Sequence, residues 1–384
     1  MLLFWVFYTS IPSYPITFHD HKLLSAPPNR PHASIAILGF FEETVGNHNH
    51  SSTIDGLEAF LVSLDSQADV FVFSRKSKSS SRVANLVRVH GHRYILFSPP
   101  TSGRYSSEWN DLIIGGAPRF FFLRFVVYHL AVKHFLSRGF THVVLADLND
   151  IIFQLEAPSG QDDESVLLVS LSQYLSGRQR NRLLPSFEFN SWISDSPSAK
   201  INAMWLGGCA TIFKENENHL PLSILSIYQK LEQYVNSSVC TGNDWGECDA
   251  SSFFEKSLPN MFVSCAGSTI GGREGIAKYL QYFGDMHKEN IVCNDQGIHN
   301  LVLNFGLDVS DLVISTPSSG VVLTMDSLDD STLATKGMVV GPKSGAPFRM
   351  IHQYNRCGRI KSGACRAVAL RLAELKRKVA VASA

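Results

Sequence analysis

The chain is short of most features that announce a function outright. Its 384 residues hold 34 Lys and Arg against 34 Asp and Glu, so it carries no formal net charge. No extended basic stripe marks a nucleic-acid footprint, which argues against DNA or RNA as a partner. The seven cysteines form no C-x-x-C pair and no His/Cys set at zinc-finger spacing, so a structural zinc site is not expected. Gly-x-Ser-x-Gly and His-Glu-x-x-His are both absent, which speaks against the hydrolases built on them. The apolar run Met1 to Ile11 stops at Pro12 and Pro15, short of the ~20 residues that span a bilayer. It reads as a weak signal sequence, a remnant of an anchor or a loosely packed start, and residues 1–30 are expected to lie outside the fold.

What is present is the material of a sizeable core. Hydrophobic residues make up 45% of the chain and charged residues 18%, enough for one large domain or two smaller ones. Strands are expected at 33–40, 68–73, 93–97 and 141–146. Between them the spacing of Ile54, Leu57, Phe60, Leu61 and Leu64 predicts a helix, and Arg119 to Arg138 reads as a long one stopped by Gly139. Apolar strands alternating with helices predict an α/β fold with a mostly parallel sheet covered on both faces. The second half is more mixed. Strands are expected at 166–171, 321–325 and 337–340, strand and turn at 202–213, and helices at 221–235 and 275–283. The expected organisation is one α/β domain over 31–356 with an elaborated C-terminal half, then a helical tail over 357–384. Basic residues interleaved with Val368, Leu372 and Leu375 make that tail amphipathic, which suits packing on the domain and leaves peripheral membrane association open.

Cys240 with Cys248, and Cys357 with Cys365, are each eight residues apart in Gly-containing segments. They are disulfide candidates in an oxidising compartment, with reduced thiols as the alternative. Asn49-His50-Ser51 and Asn236-Ser237-Ser238 are glycosylation sequons.

The strongest chemical signal is Asp147-Leu148-Asn149-Asp150, which follows the fourth expected strand directly. Ligands of open α/β sheets bind beyond the carboxyl ends of strands. Two carboxylates and an amide oxygen within four residues suit a hard cation such as Mg²⁺ or Mn²⁺, although Asp and Asn also populate turns for local reasons. Together with the strand before it and Ile151-Ile152-Phe153-Gln154 after it, the segment resembles the acidic motif of GT-A glycosyltransferases. It is most similar to the branch with D-x-x-D followed by apolar-apolar-Phe-Gln. The resemblance implies that Asp147 faces the nucleotide and that Asp150 or Asn149 meets a metal. A strict D-x-D would carry an acid at 149.

Five further stretches bear on the resemblance, and the acidic turn, Asn202 with its glycines, Asp295-Gln296 and His352 stand in the order it implies. Arg124 sits in a strongly apolar stretch, where a charge needs a partner or a ligand. Related transferases carry an Arg and a Tyr here, near the nucleotide, which points to Arg124 and Tyr128, with Arg119 a second candidate. Asn202, followed by Gly207 and Gly208, is similar to the element that holds the donor sugar. The turn-like Cys265–Gly272 stretch is a connector or an anion site before a helix. Asn294-Asp295-Gln296 with Asn300 is similar to a D-Q-x-x-x-N element beneath the reaction centre. There Asp295 would orient the acceptor hydroxyl, act as general base or steady the departing sugar, and Gln296 would assist. Late in the chain, His352-Gln353-Tyr354-Asn355-Arg356 is similar to a His-Gln-Tyr-Asp-Arg element, with Asn355 in place of the acid. His352 is then a metal ligand and Arg356 a diphosphate contact.

The resemblance covers residues ~115–356. It implies a glycosyltransferase that takes a nucleotide-diphospho-sugar, first of all a UDP-sugar. Mn²⁺ or Mg²⁺ would be the cofactor, and a glycan, protein or small molecule the acceptor. A Golgi or secretory lumen is favoured over the cytoplasm. The loops 156–165, 177–200 and 236–255 are the places for acceptor specificity. A nucleotidyltransferase would show a Gly-rich loop with Lys after the first strand, and Gly39-Phe40-Phe41-Glu42-Glu43 is not one. The other alternative is a catalytically degenerate sugar- or nucleotide-binding or protein-interaction domain of the same fold, which Asn149 and Asn355 keep open.

Overall fold

A computed structural model describes residues 16–28, 34–41, 50–64, 68–98, 117–154, 182–187, 197–238, 264–289, 291–312, 321–324, 333–335, 338–340, 348–352 and 363–382. In chain order the elements that matter are β1 (Thr17–Phe18), α1 (His21–Ser25), β2 (Ile35–Phe40), α2 (His50–Ser63), β3 (Ala68–Arg75), α3 (Ser81–Val89), β4 (Arg93–Ser98), α4 (Ala117–Leu130), β5 (His142–Ala146), β6 (Ile151–Phe153) and β7 (Leu183–Phe187). They continue with α5 (Pro197–Glu215), α6 (Leu222–Ser238), β8 (Ser264–Gly272), α7 (Arg273–Lys288), α8 (Asp295–Leu301), β9 (Val322–Thr324), β10 (Leu333–Thr335), β11 (Met338–Val340), β12 (Met350–His352) and α9 (Gly363–Ala382). No helix among the described residues is long and apolar enough to cross a membrane.

The seven-stranded sheet runs β1-β4-β3-β2-β5-β8-β7. Its centre, β4-β3-β2-β5, is parallel, while β8 is antiparallel to both of its neighbours and β1 to β4. The expected α/β class with a mostly parallel sheet is therefore what the structure shows. Alternation along each strand sorts side chains between the two faces. Phe71, Phe73 and Phe97 face α4 and α7, where Phe125 stacks on Phe283 at 4.4 Å. Val70, Val72 and Val144 face α2 and α3 with Leu57, Phe60 and Val87. A second, three-stranded sheet, β6-β12-β9, covers the carboxyl end of β5, and α9 packs over it through Ala367 and Val368.

The structure differs from expectation in three places. Residues 16–28 belong to the fold: Ile16, Phe18 and Leu24 are core, and β1 pairs with β4. A buried cation holds them, since Arg93 donates to the carbonyls of Leu23 (2.5 Å), Ala26 (3.1 Å) and Pro27 (2.6 Å) and pairs with Asp69 at 2.9 Å. Residues 202–213 are helix, not strand and turn. Leu206, Cys209, Ala210 and Phe213 are buried at helical spacing, and this packing outweighs the low helix propensity of Gly207 and Gly208. Cys265–Gly272 is no connector but most of β8, buried along its whole length. Its small residues serve close approach by neighbours rather than a turn. The expected strand at 166–171 lies outside the described residues, as do most of the proposed acceptor loops.

Three histidines are buried in the helical layer. Burial pushes His129 and His287 down to about 4, and burial with the nearby Arg124 charge pushes His299 down to about 3. Their folded pKa values lie below the unfolded value of about 6.5, so the unfolded chain binds more protons between the two. Stability is therefore full above about pH 6.5 and is lost as pH falls toward 4. Urea unfolding should show a midpoint that drops over this window, and drops less in His129→Gln, which cannot take up the proton. An equal slope in the variant would remove His129 from the account.

Candidate metal and nucleotide site

β2 leads to β3 on one side and lies beside β5 on the other, so strand order reverses between β2 and β5. That reversal is where open α/β sheets bind ligands. Asp147 is the first residue past the end of β5, and its backbone N–H donates to the Gly267 carbonyl of β8 at 2.9 Å. Leu148 is the anchor of the turn. It is 1% exposed, and its side chain fills the space that a Cβ on Gly39 would occupy. With Leu148 sunk into the core, the turn closes through Asp150 N–H to the Asp147 carbonyl at 3.3 Å, and both carboxylates stay at the sheet end.

β6 follows without a linker and pairs antiparallel with β12, Ile151 opposite His352. This register brings a residue about 200 positions away onto the acidic turn. Gln154 secures it. Its amide donates to the carbonyls of Val339 (3.1 Å) and Phe348 (2.7 Å), its side-chain oxygen accepts from Val339 N–H (2.9 Å), and its own N–H donates to the Arg349 carbonyl (2.9 Å). The Gln of the motif is thus a splice between β6, β11 and β12, not a ligand.

Asp147, Asp150 and His352 each place one ligand atom within 4.8 Å of the others. His352 Nε2 lies 3.4 Å from Asp150 Oδ1 and 3.8 Å from Asp147 Oδ2. Asp150 Oδ1 and His352 Nε2 are both buried without a hydrogen-bond partner. Burial alone would lower the His352 pKa. Its interactions with Cys265 and Asp150 outweigh burial and push it up to about 10. The pocket favours positive charge. Gly267 makes room for it, since a Cβ there would lie 2.5 Å from Asp147 Oδ2 and from His352 Nε2. Two carboxylates and one imidazole, close together and with Asp150 Oδ1 and His352 Nε2 left without a hydrogen-bond partner, fit a divalent cation of the Mn²⁺ or Mg²⁺ kind. Asn149, the neutral candidate in the turn, is exposed.

Arg124 lies on the far side of Asp147. The guanidinium pairs with Asp147 Oδ1 and, at 2.6 Å, with Asp295 Oδ2. Burial would lower its pKa, but Asp295 and the other groups around it raise it overall. The partner that the sequence demanded for this charge is a pair of acids, and Arg124 orients both carboxylates. Tyr128 is core, edge-on to Phe73 and Phe125, and Arg119 has only its backbone described, in α4.

Asn294 caps α8, its side chain accepting from the N–H groups of Gln296 (2.9 Å) and Gly297 (3.2 Å). Asp295 follows, nearly buried, with Oδ1 accepting from Gln296 N–H at 2.8 Å. The Gln296 amide is committed to β8: it accepts from Ala266 N–H (2.8 Å) and donates to the Ser264 carbonyl (2.5 Å). Asn300, one turn on, clamps Ser264 at both its N–H (2.8 Å) and its carbonyl (3.2 Å). The i, i+4 spacing of Gln296 and Asn300 thus sets α8 on the strand. Gln296 ties α8 to β8 immediately beside Asp295.

Asn202 has its backbone on α5, Gly207 is buried in that helix, and Gly208 faces open space. None of the three is brought to the acidic cluster by a described contact. Arg356 lies outside the described residues. A disulfide that sequence spacing missed joins Cys209 of α5 to Cys293, with Cα atoms 5.2 Å apart. Cys365 is also disulfide-bonded, and Cys265 is the free cysteine among the described residues.

No protein-family model and no curated protein matches the chain. Among solved structures, core-mannan synthase A (CmsA/Ktr4) from Aspergillus fumigatus in an Mn/GDP form aligns at 9% identity, over 76% of this chain and 75% of that one, with a TM-score of 0.39. The mannosyltransferase Ktr4p from S. cerevisiae aligns at 10% identity over 78% and 74%, with a TM-score of 0.36. Likeness of this degree carries no chemistry across, and the case for function stands on the residues described above.

Gly267→Ala tests the cluster without replacing a ligand. The added methyl should weaken Mn²⁺ binding by about tenfold or more, as loss of supporting geometry around a metal does, with little change in secondary structure. Calorimetric titration measures it, and unaltered Mn²⁺ affinity would place the cation elsewhere.

Proposed function

We propose that the chain is a metal-dependent glycosyltransferase of the GT-A type, moving a sugar from a nucleotide-diphospho-sugar to an acceptor hydroxyl. The observation that carries this is the convergence of Asp147, Asp150 and His352 at the β2/β5 reversal, with Asp295 held beside them through Arg124. A divalent cation, when bound, supplies the charge that neutralises a diphosphate leaving group. Asp147, Asp150 and His352 are the residues to hold it. Arg124 fixes the Asp147 carboxylate so that Oδ2 stays directed at His352, the supporting role that neighbours of a metal ligand commonly play.

Asp295 is the acid on the opposite side of Arg124 from the cation ligands. Its contacts with Arg124 at 2.6 Å and with the Gln296 N–H at 2.8 Å hold the carboxylate in one orientation, which suits it to orient an acceptor hydroxyl. Arg356 remains the candidate for the diphosphate, and a UDP-sugar is the first donor to test. The acceptor is a glycan, protein or small molecule. The disulfides at Cys209–Cys293 and Cys365 favour a secretory or Golgi lumen, where such bonds persist.

Calorimetry with UDP and GDP, with and without Mn²⁺, tests the reading. One nucleotide should bind more tightly with Mn²⁺, and Asp150→Ala should abolish the metal-dependent part while leaving the circular dichroism spectrum unchanged. If neither nucleotide binds, the transferase reading is lost. Metal-dependent binding with no donor turnover would favour a degenerate binding domain of the same fold.

A further inference from the structure

We propose that the Cys209–Cys293 disulfide is a positioning element of the site: it holds the first turn of α8 so that Asp295 meets Arg124 and Gln296 meets β8. The inference rests on the reading of Asp295 as part of the working site.

Four observations carry it. Cys293 stands two residues before Asp295, and both sulfurs are buried, with Cys209 0% and Cys293 3% exposed. The Asn294 carbonyl between them lies 3.5 Å from Cys209 Sγ and 3.7 Å from Cys293 Sγ, and it accepts the Ile298 N–H at 3.0 Å. The bond is therefore continuous with the cap that starts the helix. Gly297 presses directly on α5, where a Cβ would lie 2.5 Å from the Trp205 carbonyl oxygen and 2.8 Å from Cys209 Sγ. Finally, α8 runs on directly into a π-helical turn, Val302–Gly306, and ends there. A helical segment of only about 12 residues is marginal on its own, so the place of its first turn is set by tertiary ties.

Those ties act on the site through one chain of contacts. The bond places Asn294, the Asn294 cap orients Asp295, Asp295 shares Arg124 with Asp147, and Asp147 faces His352. Loosening the first turn of α8 releases Arg124 toward Asp147 alone. The carboxylate then gives less of its charge to a cation.

The test compares wild type with the double variant Cys209→Ala/Cys293→Ala. A third protein, Val87→Ala, is destabilised at a buried α3 position on the other face of the sheet. Amide hydrogen exchange is followed in the peptide spanning residues 291–301, and Mn²⁺ affinity is measured by calorimetry. In the double variant, exchange in that peptide should rise by at least about tenfold and Mn²⁺ should bind roughly tenfold more weakly, with neither change in Val87→Ala. Unchanged protection in the double variant, or an equal loss in Val87→Ala, overturns the proposal. So does lost protection with Mn²⁺ affinity intact. If the double variant does not fold, the same peptide is followed in wild type treated with a phosphine reductant, with loss of the bond confirmed by mass. Wild type that binds no Mn²⁺ would defeat the metal reading of the site, while exchange in residues 291–301 still decides whether the bond holds Asp295.

Discussion

A buried guanidinium between two carboxylates organises the candidate site. Arg124 stands on a helix whose neighbours are Phe, Leu and Val, and its side chain is only 11% exposed, so its charge needs partners within the protein. Asp147 and Asp295 do so instead, one from the end of β5 and the other from the start of α8. Removing either acid would leave the charge under-compensated in the core, a change that typically costs about 3–5 kcal/mol when a buried pair is broken. The same interaction serves chemistry. It orients the Asp147 carboxylate toward His352 and Asp150, and it holds the Asp295 carboxylate on the other side.

The remaining geometry follows from where the chain is allowed to approach itself. Leu148 sinks against Gly39 and tips the acidic turn outward. Gln154 splices β6 to β11 and β12, so His352 stands opposite Ile151. Gly267 leaves the space between Asp147 and His352 free of a side chain. Gln296 and Asn300 dock α8 on β8 by side-chain amides. Each is a structural residue by its contacts, and each sets the position of a residue that can hold a cation or a substrate.

Much of this was legible in the sequence, for identifiable reasons. β2, β3, β4 and β5 are buried strands, and continuous apolar runs announced them. Asp147 could be placed because it follows such a run directly. The isolated charge of Arg124 announced the need for a partner, but not that two acids from distant elements would meet it. Reading failed where composition misled. Gly207 and Gly208 suggested a turn, although Leu206, Cys209, Ala210 and Phe213 already had helical spacing. The Gly, Ser and Thr content of β8 looked like a connector because small residues in a strand are chosen by their neighbours, which one sequence does not show. Cys209 and Cys293 are 84 residues apart, and spacing alone pointed to closer pairs. The segment from Ile16 to Pro28 looked dispensable until Arg93 was seen to hold its carbonyls.

The central claim is that Asp147, Asp150 and His352 together hold a cation that receives a nucleoside diphosphate. A crystal grown with Mn²⁺ and UDP or GDP, with diffraction recorded at the manganese edge, tests it most directly. The account predicts an anomalous peak bounded by those three side chains, with diphosphate oxygens completing its coordination. An ordered nucleotide whose manganese sits away from all three residues, or a nucleotide bound elsewhere on the sheet, would contradict it.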